Sequence, residues 1–200
     1  MKNLPILNCD FFREAKACYD PATVLGEDWN GTALDILDHP QIPSEDKIWA
    51  VCAKGALPES VQWLMAVAFV RETPLHDGRN VVDLSTDERS LKALEVIELH
   101  ALGRATDGEL DAARGAAKDA AMDAAWDVAG AAAAAATWAA AGAAAWDAAW
   151  DAAGSAAAAG DAPGDAAGAA TWDAARDAQA EIARRVILLG HAKRTTLPRK

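Results

Sequence analysis

From Ala112 to Ala157 the chain keeps a strict frame of four. Alanine pairs stand at 112/113, 116/117, 120/121 and 124/125, then at 132/133, 140/141, 144/145, 148/149, 152/153 and 156/157. Val128-Ala129 and Ala136-Thr137 fill the slots between, so the frame is unbroken. GDAPGD at 160–165 reads as a turn, with Pro163 between two glycines. Beyond it the frame restarts, shifted by two, at positions 166/167, 170/171, 174/175, 178/179 and 182/183. Four residues on a helix of ~3.6 residues per turn advance roughly 400°, so the row drifts about 40° per step. On one long straight helix such a stripe winds around the axis, and no single partner covers it. The segment must therefore break into shorter helices, at Gly130 and at Gly142 or Gly154, or wrap among several neighbours. Alanine is the strongest helix former, which supports helices and disfavours a β-solenoid. Adjacent small residues let backbones approach closely, so a layered stack of tightly spaced helices is expected.

Composition changes sharply near residue 110, and the first 105 residues carry mixed large side chains in helical patterns. SEDKIWAVCAKG has Ser44 at the N-cap position, acids in the first turn and a stop at Gly55. LPESVQWLMAVAFVRE places Pro58 early, and Val61, Leu64, Met65, Ala68 and Phe69 keep the i, i+3, i+4 spacing of a core face. Ser85 with Glu88 reads as a capping box for a helix ending at Gly103, and Thr106 with Glu109 repeats the device. VVDL at 81–84 is the nearest approach to a strand. The expected fold is all-α: a helical N-terminal part (1–105) packed on a layered stack of alanine-rich helices (106–190), with a basic flexible tail (191–200).

Trp126, Trp138, Trp146, Trp150 and Trp172 punctuate the alanines. The first four are separated by 12, 8 and 4 residues and so share one register of the frame. Asp127, Asp147, Asp151 and Asp173 each follow a tryptophan. Two readings compete. Each Trp fills the volume that alanine leaves empty on a facing helix, while the next residue, about 100° around, faces water. Alternatively, the five tryptophans and adjacent carboxylates form a pocket for a cationic group or a planar base. Aromatic spacing at helical period favours the first.

Between Lys118 and Arg176 there is no basic residue, but there are eight aspartates. Asp119, Asp123 and Asp127 stand at i, i+4, i+8, where like charges mildly destabilise a helix. With Asp147 and Asp151 they make either a solvated face that keeps the alanine surface soluble or a surface for a basic partner. The tail inverts the sign: Arg184, Arg185, Lys193, Arg194, Arg199 and Lys200, with no acid. These cations are able to fold back onto the acidic face, within or between chains.

The net charge of −11 argues against direct nucleic-acid binding. Three cysteines, Cys9, Cys18 and Cys52, form no CxxC, so neither a disulfide framework nor a zinc site is expected. The N-terminus lacks a signal-peptide pattern, and the alanine tract is interrupted by aspartates too often to span a membrane. Cys52 lies on an apolar helical run, where a thiol is core. Glu95, Glu98 and His100 miss the i+3/i+4 spacing of helical metal ligands, and no GxSxG, Walker or GxGxxG motif occurs. No catalysis, metal or cofactor is expected.

Several segments carry a resemblance. ACYDP (Ala17–Pro21), EDWNGTALDIL (Glu27–Leu37), the spacing of Pro43, Asp46 and Trp49, and AFVRE (Ala68–Glu72) resemble uncharacterised alanine-rich accessory proteins of tailed bacteriophages. So do DERSLKALEV (Asp87–Val96), ATDGELDAAR (Ala105–Arg114) and the closing WDAARDAQ (Trp172–Gln179). The second half is also similar to helical proteins labelled as immunity proteins in bacterial toxin loci. The resemblance implies a phage accessory protein acting in the host cytoplasm, and it transfers no catalytic residue. The expected function is non-catalytic: binding and blocking a host protein with a basic surface, an antiviral defence component, through the acidic residues. The alternatives are a sponge for a small nucleotide-like signalling molecule held among the tryptophans, and a structural protein that self-assembles into a homo-oligomer.

Overall fold

The structure, a computed structural model, describes residues 4–75, 78–85, 87–123 and 165–195. Over these residues the fold is all-α. The helices are α1 (Cys9–Glu14), α2 (Ala22–Leu25), α3 (Ala33–Leu37), α4 (Ser44–Cys52), α5 (Glu59–Glu72), α6 (Glu88–Ala101), α7 (Asp107–Asp123) and α8 (Asp165–Thr195), with a 3-10 turn at Val81–Leu84 between α5 and α6. Extended structure among the described residues is a two-residue ribbon and one bridge. In the ribbon, β1 (Leu7–Asn8) runs antiparallel to β2 (Asn30–Gly31), pairing Leu7 with Gly31. The bridge joins Pro74 and Asn80. Gly31 is required in β2, because a Cβ there would lie 2.6 Å from the Trp29 ring.

Local chemistry sets the helix starts. Asn8 caps α1, its Oδ1 accepting the Phe11 N–H at 2.8 Å. Thr32 and Asp35 form a capping box on α3. On α7 the expected box is present: Glu109 Oε2 accepts from the Thr106 N–H at 2.7 Å, and Thr106 Oγ1 accepts from the Glu109 N–H at 3.3 Å. These bonds hold the Glu109 carboxyl below its ordinary value. Gly103, at φ +69°, ends α6 as read, its N–H donating to His100 O at 2.8 Å.

Four local expectations are corrected. Helix α6 is capped by Asp87, whose Oδ1 accepts the Arg89 N–H at 2.8 Å, so Ser85 and Glu88 make no box. Ser85 instead closes the 3-10 turn, donating its N–H to Val82 O at 3.0 Å. A carboxylate next to the helix is the stronger acceptor, and it takes the cap. Pro43, not Ser44, holds the cap position of α4; the Ser44 hydroxyl donates to Asp177 Oδ1 on α8 at 2.5 Å. Helix α4 also ends at Cys52, short of Gly55. VVDL, the nearest strand candidate, is the 3-10 turn, opened by a capping box of Asn80 and Asp83.

Helix α5 is the apolar centre. Val61, Met65, Ala66, Val67, Ala68, Phe69 and Val70 are all buried, so burial extends beyond the one face that the spacing indicates. A helix buried on most sides needs neighbours on most sides. Helices α6 and α8 and the 3-10 turn supply them; α7 then packs on α6, and α8 also packs on α4 and α3. The last helix in the chain is thus inserted among the first ones. Leu110, Ala117, Ile182, Ala183 and Ile187 lie in the same core as Leu7, Phe12 and Ile48. The composition boundary near residue 105 therefore does not separate two cores among the described residues. The α8 backbone also runs past residue 190, into the segment expected as a tail, as far as Thr195.

The drift of the alanine frame is visible in α7. Ala113 and Ala117, the second members of their pairs, face the core; at the next pair the first member, Ala120, is buried. Two steps of about 40° are enough to bring the first member of a pair round to the core. On α8, Ala175 and Ala183 are buried while Ala174 is exposed. The breaks at Gly130, Gly142 and Gly154 and most of the GDAPGD turn lie outside the described residues.

If alanine is there to allow close approach, a larger side chain at Ala183 must be damaging. Ala183→Leu is expected to cost about 1–3 kcal/mol by overpacking. Ala174→Leu, about two and a half turns away on the opposite face, should stay within about 0.5 kcal/mol. Urea unfolding of the two variants checks the contrast; equal losses would remove the packing argument.

Candidate functional site

The segment that links α1 to α2 folds over an apolar cavity of about 110 Å³. Arg13, at the end of α1, pins that segment. Its guanidinium lies 3.0 Å from Asp10, 3.0 Å from Asp20 and 2.7 Å from Glu27, and meets Glu27 through two nitrogens. The bidentate contact holds the Glu27 carboxyl below its ordinary value, and the three carboxylates together raise that of Arg13. Lys16 leaves α1 in the left-handed region, at φ +64°, and turns the chain toward Ala17–Tyr19.

The cavity floor is apolar and aromatic. Phe12 from α1, Ile36 from α3, and Ile42 and Ala50 near and on α4 are buried; Val24, Leu25 and Trp49 are half-buried. The Phe12 and Trp49 ring centroids are 6.4 Å apart, and Phe12 also lies 6.2 Å from Trp29. Cys18, Tyr19, Glu45 and Asp46 complete the lining, and Cys18, Tyr19 and Glu45 are exposed. Tyr19 donates its hydroxyl hydrogen to Asp46 Oδ2 at 2.9 Å. The phenol is pushed up to about 12, first by burial and then by the Asp46 carboxylate. The lining holds two carboxylates and no lysine, arginine or histidine. Physically this is a hydrophobic cup with a negative rim.

The sequence-read residues are placed differently. Trp172 is half-buried and packs against Leu75, Val81 and Ala175, while the adjacent Asp173 is exposed. At this position tryptophan fills the core and aspartate faces water. The Arg176 guanidinium stacks 4.8 Å from the Trp172 ring. Arg176 is itself buried, and Nη1 donates to Gln179 Oε1 at 3.2 Å. Gln179 Nε2 donates to Thr73 Oγ1 at 3.1 Å, and the Thr73 hydroxyl donates to Phe69 O at 2.6 Å. Burial pulls the Arg176 value down, with Glu45 opposing. The guanidinium stays charged, since arginine does not deprotonate in proteins.

Asp119 is exposed on α7, and Asp123 closes that helix. Helix α7 packs on α6, while α8 packs on α5, α4 and α3. Trp126, Trp138, Trp146, Trp150, Asp127, Asp147 and Asp151 lie outside the described residues. Cys9 and Cys52 are buried and Cys18 is exposed, all three as free thiols. Burial also raises the Cys9 thiol, which donates to Gly26 O at 3.3 Å. Glu98 pairs with Arg71 at 2.5 Å, Glu95 with Lys92 at 2.8 Å, and His100 with Asp107 at 2.8 Å. No cluster of three His, Cys, Asp or Glu among the described residues is placed to hold a metal. No helix among them is long and apolar enough to cross a membrane.

The cavity was not legible in the sequence, because its walls come from four separate helices. Two of its parts stand in segments singled out for other reasons: ACYDP holds Cys18 and Tyr19, and the Pro43, Asp46 and Trp49 spacing puts an acid and an aromatic ring on one face of α4. Comparison of the chain with protein-family models, with curated proteins and with solved structures gives no match.

Tyr19 is the one tyrosine in the sequence, so phenolate absorbance reports it alone. Its titration should centre near 12 rather than the ordinary 10.0. Asp46→Asn removes the carboxylate charge and leaves burial, so the midpoint should fall without reaching the ordinary value. A wild-type midpoint at the ordinary value would dismantle the Tyr19–Asp46 contact.

Proposed function

We propose that this chain is a non-catalytic phage accessory protein that acts in the host cytoplasm by binding and blocking a host factor with a basic surface. The observation that carries the reading is the imbalance of charge, 30 acids against 19 bases. Six arginines among the described residues are engaged within the fold. Arg71 pairs with Glu98, Arg89 with Asp87, Arg114 with Asp111, Arg184 with Asp38, and Arg185 with Glu72. Arg13 sits among three carboxylates. Of the aspartates in the base-free interval, the side chains of Asp119 and Asp173 are described, and both are exposed. Exposed charge of one sign steers encounter with an oppositely charged partner and adds specificity.

A second reading, capture of a small molecule, is favoured by the cup at α1–α4. It differs from a pocket among the tract tryptophans: its aromatic residues are Phe12, Tyr19 and Trp49. Its two carboxylates and absence of lining cations also disfavour a phosphate-bearing ligand there.

The blocking reading predicts a complex that weakens with salt, since the screening length falls from about 10 Å at 0.1 M to about 3 Å at 1 M. Replacing Asp119, Asp123 and Asp127 with Asn should weaken it by about tenfold, as exposed charge pairs contribute ~0.2–1 kcal/mol each. Affinity capture from infected cells, with mass spectrometry at both salt concentrations and with the triple variant, is the measurement. Absence of any captured host protein at low salt, or a partner indifferent to salt and to the variant, refutes this reading.

A further inference from the structure

We propose that the cup formed by α1–α4 binds a hydrophobic organic ammonium ion, with the apolar body on Phe12 and Trp49 and the charged head between Tyr19, Glu45 and Asp46. The inference rests on the small-molecule reading above and names its ligand class. Three observations carry it. First, the cavity is closed below by a buried phenyl ring and walled by a half-buried indole, so it favours an apolar body. Second, indole and phenol faces attract a cation by their quadrupole, most of all where water is partly excluded. Third, the polar part of the lining is one-sided. Glu45 and Asp46 carry negative charge there and the lining holds no base.

The geometry also orients the head. Tyr19 already donates to Asp46 Oδ2 at 2.9 Å, which fixes the phenol at the rim. A carboxylate has more than one acceptor site, so Asp46 can hold Tyr19 and still accept from an ammonium N–H. An anion in the same place would face two carboxylates across a low-dielectric wall. A neutral ligand would gain the apolar contact and leave the rim charges without a complement.

The test compares three probes that share one body: 3-phenylpropylammonium, 3-phenylpropan-1-ol and 3-phenylpropanoate. Binding is read by titration calorimetry at low salt. Occupancy is read independently as protection of Cys18 from a neutral maleimide, since Cys18 lines the cup and is exposed while Cys9 and Cys52 are buried. The ammonium should bind about tenfold more tightly than the alcohol, and the carboxylate should bind more weakly than either. Glu45→Gln with Asp46→Asn should abolish the preference, the ammonium then binding no more tightly than the alcohol does to the same variant, with circular dichroism showing that the variant is folded. If the double variant does not fold, each single variant should lose part of the preference. Equal binding of alcohol and ammonium overturns the cation assignment while small-molecule capture stands. A preference that survives in a folded double variant overturns the role given to the carboxylates. No binding and no protection of Cys18 by any of the three overturns this inference, and capture of some other class of ligand elsewhere on the chain would then be the reading left to the small-molecule hypothesis.

Discussion

The hydrogen-bonded row from Arg176 through Gln179 and Thr73 to Phe69 O is what the remaining packing depends on. It runs from α8 into the end of α5, through groups that are all buried. Buried polar groups tolerate little displacement, because each lost bond leaves a donor or acceptor without water. The row therefore fixes the register of α8 against α5. Once that register is set, Ile182, Ala183 and Ile187 fall into the core along the same helix. On the other side Ser44 bonds to Asp177, which seats α4. The position of α4 in turn places Glu45, Asp46 and Trp49 around the cup. A polar contact on one side of α8 thus reaches the candidate site through two packed helices.

Charge is organised on the same plan. Arg176 is the first base after the long acidic interval, and it is buried rather than presented to solvent. Arg184 and Arg185, a turn or two further on, reach Asp38 and Glu72 on the N-terminal helices. These two arginines pair with the end of α3 and with α5; Asp127, Asp147, Asp151 and the last five residues, on which the expected folding-back turns, lie outside the described residues. Exposed pairs of this kind contribute little stability each. Their larger effect is on the outer field, since they remove positive charge from the surface and leave negative charge in excess.

How much of this the sequence discloses depends on the range of the interaction. The helical pattern of α5, the Thr106–Glu109 box and the Gly103 stop are local, and they are where the residues indicate. The drift of a four-residue frame is also local, and Ala117 and Ala120 display it. The split between Trp172 and Asp173 follows from the angle between consecutive helical residues. By contrast, Ser44 was misread because its partner is 133 residues away, and no local rule weighs such a bond against a cap. Ser85 lost the cap to a nearer carboxylate, a competition that spacing alone does not rank. The cup escaped notice for the first of these reasons: Phe12, Ile36 and Trp49 become neighbours only after tertiary packing.

The insertion of the last helix among the first has a consequence for the order of events during synthesis. The contacts that seat α8 join residues separated by 106, 113, 133 and 146 positions. Closing such loops is slow compared with forming helices, so folding rate is set by topology rather than by alanine's propensity. While the nascent chain has emerged only as far as α7, the side of α5 that α8 will cover has no partner. Val67 and Ala68, which line a cavity with Val186 and Leu189 of α8, are then exposed surface at the moment when aggregation and chaperone binding compete with folding. The alanine tract is made in that interval, and its aspartates keep the unfinished chain charged while it waits for its closing helix.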